Sequence, residues 1–100
     1  MDAQYLVPPK QLARFCRERK IIELALFGSA ARGELRPDSD LDLMVRFDES
    51  ARVSLLDFAH IQGELTDLFG REVDLVERDA VVNPFMRRTI LRDATILYAA

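Results

Sequence analysis

Cysteine is almost missing from this chain of 100 residues: Cys16 stands alone, which excludes an internal disulfide framework and any zinc site built from several cysteines. Histidine is as scarce. His60 is the only one, and no motif links it to Cys16, so a thiol nucleophile would lack its activating partner; Cys16 reads instead as a small apolar residue on a helix. Glycine and proline number four each against 49% hydrophobic residues, which argues against disorder or a fibrous repeat and for one compact domain over residues 1–100. Long apolar runs are missing too. Charge interrupts every stretch well before the roughly 20 apolar residues of a membrane-spanning helix. The opening Met1-Asp2-Ala3-Gln4 carries an acid and no basic region ahead of an apolar one, so a secretory leader is not expected and the cytoplasm is the default location. The net charge of −3 offers no bulk attraction to phosphate backbones, against non-specific nucleic-acid binding.

What is present is a regular alternation of helical and extended patterns. Behind Pro8-Pro9, the segment Lys10 to Lys20 sets Leu12, Phe15 and Cys16 at helical spacing. Ile21 to Phe27 is a short apolar run broken only by Glu23, a buried strand that halts at Gly28. From Ser29 to Ser39 the chain turns polar, leaving room for one or two helical turns before the turn residues Pro37-Asp38-Ser39. Leu41, Leu43 and Val45 alternate with polar or larger residues as a strand ending near Phe47. Val53 to Phe69 carries the apolar repeat of a helix lying on a sheet, with Gly70 as its C-cap. Glu72 to Val76 alternates as a third strand, Asn83-Pro84 opens a helix to about Arg92, and Thr95 to Ala99 is a final short strand. This order predicts an α/β (α+β) domain with a mixed sheet and helices packed on it, since the Phe27-to-Leu41 connection is near the minimum for a parallel crossover.

The chemistry concentrates at Gly28-Ser29 and Asp40-Leu41-Asp42. Asp40 and Asp42 are two apart at the mouth of a strand, so both leave one face about 7 Å apart at the α-carbons. Adjacent carboxylates repel, whereas a hard cation such as Mg²⁺ satisfies both through oxygen and still keeps waters and phosphate oxygens. Asp74 lies inside the third strand between Val73 and Leu75; if that strand neighbours the one bearing Asp42, it completes a set suited to two metal ions and in-line phosphoryl displacement. Asp74 would then assist deprotonation of the attacking hydroxyl. Gly28-Ser29 opens a tight turn where a missing Cβ lets a phosphate approach the backbone. Arg32 and Arg36 share that loop and would balance phosphate charge; Ser39 joins Gly28, Ser29 and Arg32 among the nucleotide-binding candidates. Each feature alone has a plainer reading: a wet strand face for the acids, a simple turn for Gly-Ser, a solvated loop for the arginines, solvated helix faces for Arg17 to Lys20 and Arg87-Arg88. Jointly, the Gly-Ser and Asp-X-Asp spacing should arise by chance in roughly one in a thousand chains of this length.

The string from Leu26 to Val45, LFGSAARGELRPDSDLDLMV, closely resembles the signature of the minimal nucleotidyltransferases, small relatives of the polymerase-beta superfamily. Their hallmark is Gly-Ser, a spacer of some ten residues and Asp-X-Asp, met here by Gly28-Ser29 and Asp40-Leu41-Asp42. Glu72 to Val76 is similar to the strand bearing the family's third acid, which makes Asp74 the match and leaves Asp79 as a competitor outside the strand. The resemblance implies that Asp40, Asp42 and Asp74 bind Mg²⁺, two ions in all, and that Gly28 and Ser29 hold the triphosphate of ATP. Larger relatives add a substrate-binding domain, so the acceptor is expected to come from elsewhere. In length and motif the chain is similar to the antitoxin half of toxin–antitoxin pairs whose partner is a HEPN-domain ribonuclease, where the small enzyme transfers AMP to a toxin tyrosine. Two alternatives stay open: an antitoxin that only masks its partner, and a nucleotidyltransferase acting on a small molecule or an RNA end.

Overall fold

The computed structural model describes residues 6–31, 33, 40–80, 84, 85, 88, 92 and 94–100. Helix α1 runs Pro9–Glu18, with Pro9 at N1, where its missing N–H costs nothing, and buries Leu12 and Cys16. Its chain reverses through Lys20, which adopts φ 57°, into strand β1, Ile21–Phe27. A single helical turn, α2 (Gly28–Ala31), follows directly. Strand β2 is Leu41–Phe47 and helix α3 Leu55–Phe69.

The sequence pattern starts α3 at Val53, and the structure starts it two residues later for a local reason. Ser54 is the N-cap: its hydroxyl accepts from the Asp57 N–H at 3.0 Å while the Asp57 carboxylate accepts from the Ser54 N–H at 3.1 Å. That reciprocal pair satisfies two otherwise orphaned donors and leaves Val53 outside the helix. Gly70 ends α3 in the left-handed conformation, φ 73°, as the pattern predicts. Strand β3, Val73–Glu77, begins one residue later than expected; a short 3₁₀ turn, Arg78–Ala80, follows, and β4 is Thr95–Ala99. Of the helix expected from Pro84 to about Arg92, only Pro84, Phe85, Arg88 and Arg92 are described, each of them helical; its Asn83 cap lies outside the described residues.

The sheet is mixed, in the order β3-β2-β1-β4. β1 is antiparallel to both β2 and β4, and β2 is parallel to β3 across the α3 crossover. Helices α1 and α3 cover one face. There Leu24, Leu26, Leu41, Leu43, Val45, Val73 and Leu75 pack with Leu12, Cys16, Ile61, Leu65 and Phe69 as the main core. The intervening residues point to the other face, where Ala25 and Met44 form a smaller cluster with Phe27 and Ala94. By this alternation Asp42 and Asp74 belong to the face away from α1 and α3. Among the described residues no helix is long and apolar enough to cross a membrane.

Candidate active site

Three acids reach one end of the sheet on two strands. Asp40 stands exposed on the threshold of β2, and Asp42 is the second residue of that strand, half-buried. In the sheet register Asp42 lies between Phe27 of β1 and Asp74 of β3. Adjacent strands are about 4.8 Å apart, so Asp42 and Asp74 leave neighbouring strands on the same face. The condition set by the sequence, that the third acid's strand lie beside that of Asp42, is met. The competitor Asp79 sits in the turn after β3 and pairs with Arg46 at 3.8 Å; Arg46 is four residues along β2 from Asp42, about 13 Å of strand.

The grouping is visible in the electrostatics. The Asp42 carboxyl is held above its ordinary value of 3.8, first by burial, then by the Asp74 charge and then by that of Asp40. Burial disfavours the charged form and two like charges disfavour it further. Such a cluster of like charges disfavours the fold, and a cation bound among them would offset that cost.

Gly28 is required here, and for a reason the sequence did not reveal. Its φ is +70°, where L side chains are strained, and a Cβ would stand 2.6 Å from Oδ2 of Asp42. The space that glycine frees beside the turn is therefore occupied on one side by the Asp42 carboxylate itself. Ser29 follows in α2, and the first N–H groups of a helix have no intrahelical acceptor. Arg32, Arg36 and Ser39 lie outside the described residues.

Cys16 and His60 stand on α1 and α3, the helices that cover the opposite face of the sheet. His60 is exposed on α3, 3.7 Å from Glu64, and Cys16 is fully buried with its thiol pushed up to about 12 by that burial. Neither neighbours the acids.

The donor set suits Mg²⁺. All three side chains offer hard oxygen ligands, and the raised Asp42 carboxyl marks negative charge in want of a counter-ion. Among the described residues no group of three or more His, Cys, Asp or Glu side chains is placed so as to hold a metal ion, so the three acids do not form a ready-made protein site. Mg²⁺ does not require one, because it takes part of its shell from waters and substrate phosphates.

Comparison with known proteins places this arrangement in a class. Residues 9–97 match the nucleotidyltransferase domain family, and the chain belongs to it: it is a nucleotidyltransferase, with a nucleotide as substrate. It is 40% identical over 78 residues to the protein adenylyltransferase MntA of Thermococcus cleftensis, covering 77% of this chain and 76% of that one. A solved structure described as a minimal nucleotidyltransferase shares 38% identity, covers 95% of each chain and superposes with a TM-score of 0.76. A chain from the complex of tri-AMPylated Shewanella oneidensis HEPN toxin with MNT antitoxin shares the fold at a TM-score of 0.67, with 16% identity, over 98% of this chain and 73% of that one.

Proposed function

We propose that this nucleotidyltransferase moves AMP from ATP to a tyrosine hydroxyl of a HEPN-type toxin and so acts as its antitoxin. The observation that carries the reading is the pairing of Asp42 with Asp74 across β2 and β3, beside the Gly28 turn. The name of the Thermococcus relative as a protein adenylyltransferase supports the donor and the protein acceptor.

In this reading Asp40, Asp42 and Asp74 bind two Mg²⁺ ions through their carboxylate oxygens. Those ions supply charge stabilisation on the triphosphate and a lowered pKa for the attacking hydroxyl. Gly28 and the backbone N–H groups of α2 orient the phosphates, Ser29 donates to them, and Arg32 and Ser39 extend that contact from the loop. Asp74, the most exposed of the paired acids, takes the tyrosine proton. The tyrosine oxygen forms a bond to the α-phosphorus as the bond to the bridging oxygen breaks. Pyrophosphate leaves with that electron pair. The reading places the reaction in the cytoplasm, where ATP is abundant.

Incubating the chain with α-labelled ATP, Mg²⁺ and a HEPN-type toxin should label one or more toxin tyrosines, and chelation should abolish the label. No label on the toxin under any divalent metal would defeat the proposal. Asp42→Asn separates transfer from masking: the variant should lose both labelling and protection, whereas protection retained without labelling would mean that binding alone neutralises the toxin. Label found only on an RNA end or a small molecule would move the acceptor to that class.

A further inference from the structure

Strand β3 is an edge strand, yet its outer edge is not left bare. Leu41 donates its N–H to the Glu72 carbonyl at 2.9 Å, which orients Glu72 towards β2. By alternation along a parallel pair, 74 and 76 also bond towards β2 while Val73 and Leu75 turn their N–H groups outward. The outward N–H groups of Val73 and Leu75 are both satisfied by α3. The Thr66 hydroxyl oxygen accepts from the Val73 N–H at 3.1 Å, and Gln62 Oε1 accepts from the Leu75 N–H at 3.3 Å. The two acceptors are four residues apart on a helix, about 6.0 Å, and the two donors two apart on a strand, about 6.6 Å, so the spacings match.

We propose that Gln62 and Thr66 are positioning residues for Asp74, pinning β3 on both sides of it so that its carboxylate stays opposite Asp42. This rests on the reading of Asp74 as the third acid of the site. Val73 and Leu75 are buried, and a buried N–H deprived of its acceptor is costly, so β3 is held where both bonds close. Asp74 lies between the two pinned residues. A slip of one residue would turn it to the helix face, and a smaller drift outward would draw it from Asp42. Gln62 and Thr66 belong to α3, which covers the opposite face of the sheet, so they act through the strand and not on the nucleotide.

Thr66→Val and Gln62→Leu remove one acceptor each, and Thr66→Ser keeps it. In the unmodified protein the Val73 and Leu75 amides should be protected from hydrogen exchange; free exchange of both would overturn the proposal without any variant. In Thr66→Val and Gln62→Leu the corresponding amide should lose protection. The half-saturating Mg²⁺ concentration should rise and kcat fall by about ten- to a hundredfold, the order of loss from a reacting group misplaced by about 1 Å. KM for ATP should hold, and Thr66→Ser should behave as the parent. Wild-type kcat and metal dependence in a variant whose amide exchanges freely would reduce these residues to edge caps and sink the idea. If Thr66→Val does not fold, Gln62→Leu and the exchange of the unmodified protein decide. Asp74→Asn is the separate control: full activity in that variant would remove Asp74 from the site, a failure of the reading beneath.

Discussion

Gly28 shows how a single missing atom serves both backbone and chemistry. Its left-handed φ costs an L-residue about 1–2 kcal/mol, and the Cβ of alanine would meet the Asp42 carboxylate at 2.6 Å. Gly28→Ala should therefore lower Tm by several degrees, about 4–8 °C for each kcal/mol in a domain of this size. It should also slow transfer by about a hundredfold, because the displaced carboxylate is a proposed metal ligand. Thermal denaturation and a pyrophosphate-release assay read the two effects, and unchanged kinetics would show that Asp42 relaxes at no cost. Asp79 illustrates the converse at this scale. Its charge is available in the sequence, but Arg46 engages it at the far end of β2.

Among the elements, α3 carries the most. It supplies the parallel crossover, the core residues Ile61, Leu65 and Phe69, and the acceptors for the edge of β3. Its start depends on the Ser54 cap, and Ser54→Ala should cost about 1 kcal/mol. Chemical denaturation should show that loss as a lower midpoint with an unchanged slope, and the Mg²⁺ dependence should not move, since the cap lies at the end of α3 remote from β3's first residues. The pattern placed this helix correctly because its apolar repeat is local. Its first residue was missed because Val53 fits the apolar repeat, although Ser54-Leu-Leu-Asp57 carries the capping-box spacing whose hydrogen bonds set the start. Strand β4 was legible from its composition alone, whereas Gln62 and Thr66 gave no signal, since polar residues on a helix do not name the strand they will meet.

At the scale of the whole molecule the sheet has one face for stability and another for chemistry. Arg19 stacks on Phe15, 3.7 Å from its ring centroid, and bonds to Glu64, tying α1 to α3 over the core. Arg78 reaches Glu23 at 3.3 Å and anchors the far end of β3 to β1. Against these, the acid cluster opposes folding. Asp42 has a folded-state value raised above its ordinary 3.8, so its contribution is fully present below that pH and is lost as pH rises through the raised value. Asp42→Asn should accordingly match the parent in stability below about pH 3.8 and exceed it at neutral pH, by no more than about 1 kcal/mol given solvent screening. Melting curves across pH in the absence of divalent metal test this, and a neutral-pH Tm below that of the parent would contradict the repulsion. Glu64, held below its ordinary 4.5 by its hydrogen bond from Arg19, works in the opposite sense, contributing above that pH and failing as acid is added.

The sequence by itself determined the elements and the chemical vocabulary. Helical and alternating periods, the Gly70 cap and the Gly-Ser with Asp-X-Asp spacing all depend on neighbours within a few residues, and such neighbours interact in any fold that keeps the local conformation. The tertiary structure alone decided that β3 lies parallel beside β2 with Asp74 opposite Asp42, that Asp79 pairs with Arg46, and that Gly28 makes room for a carboxylate. Those facts join residues far apart in the chain, and their register is set by which faces bury apolar area and which edge donors find acceptors, energies that exist only once the chain has packed.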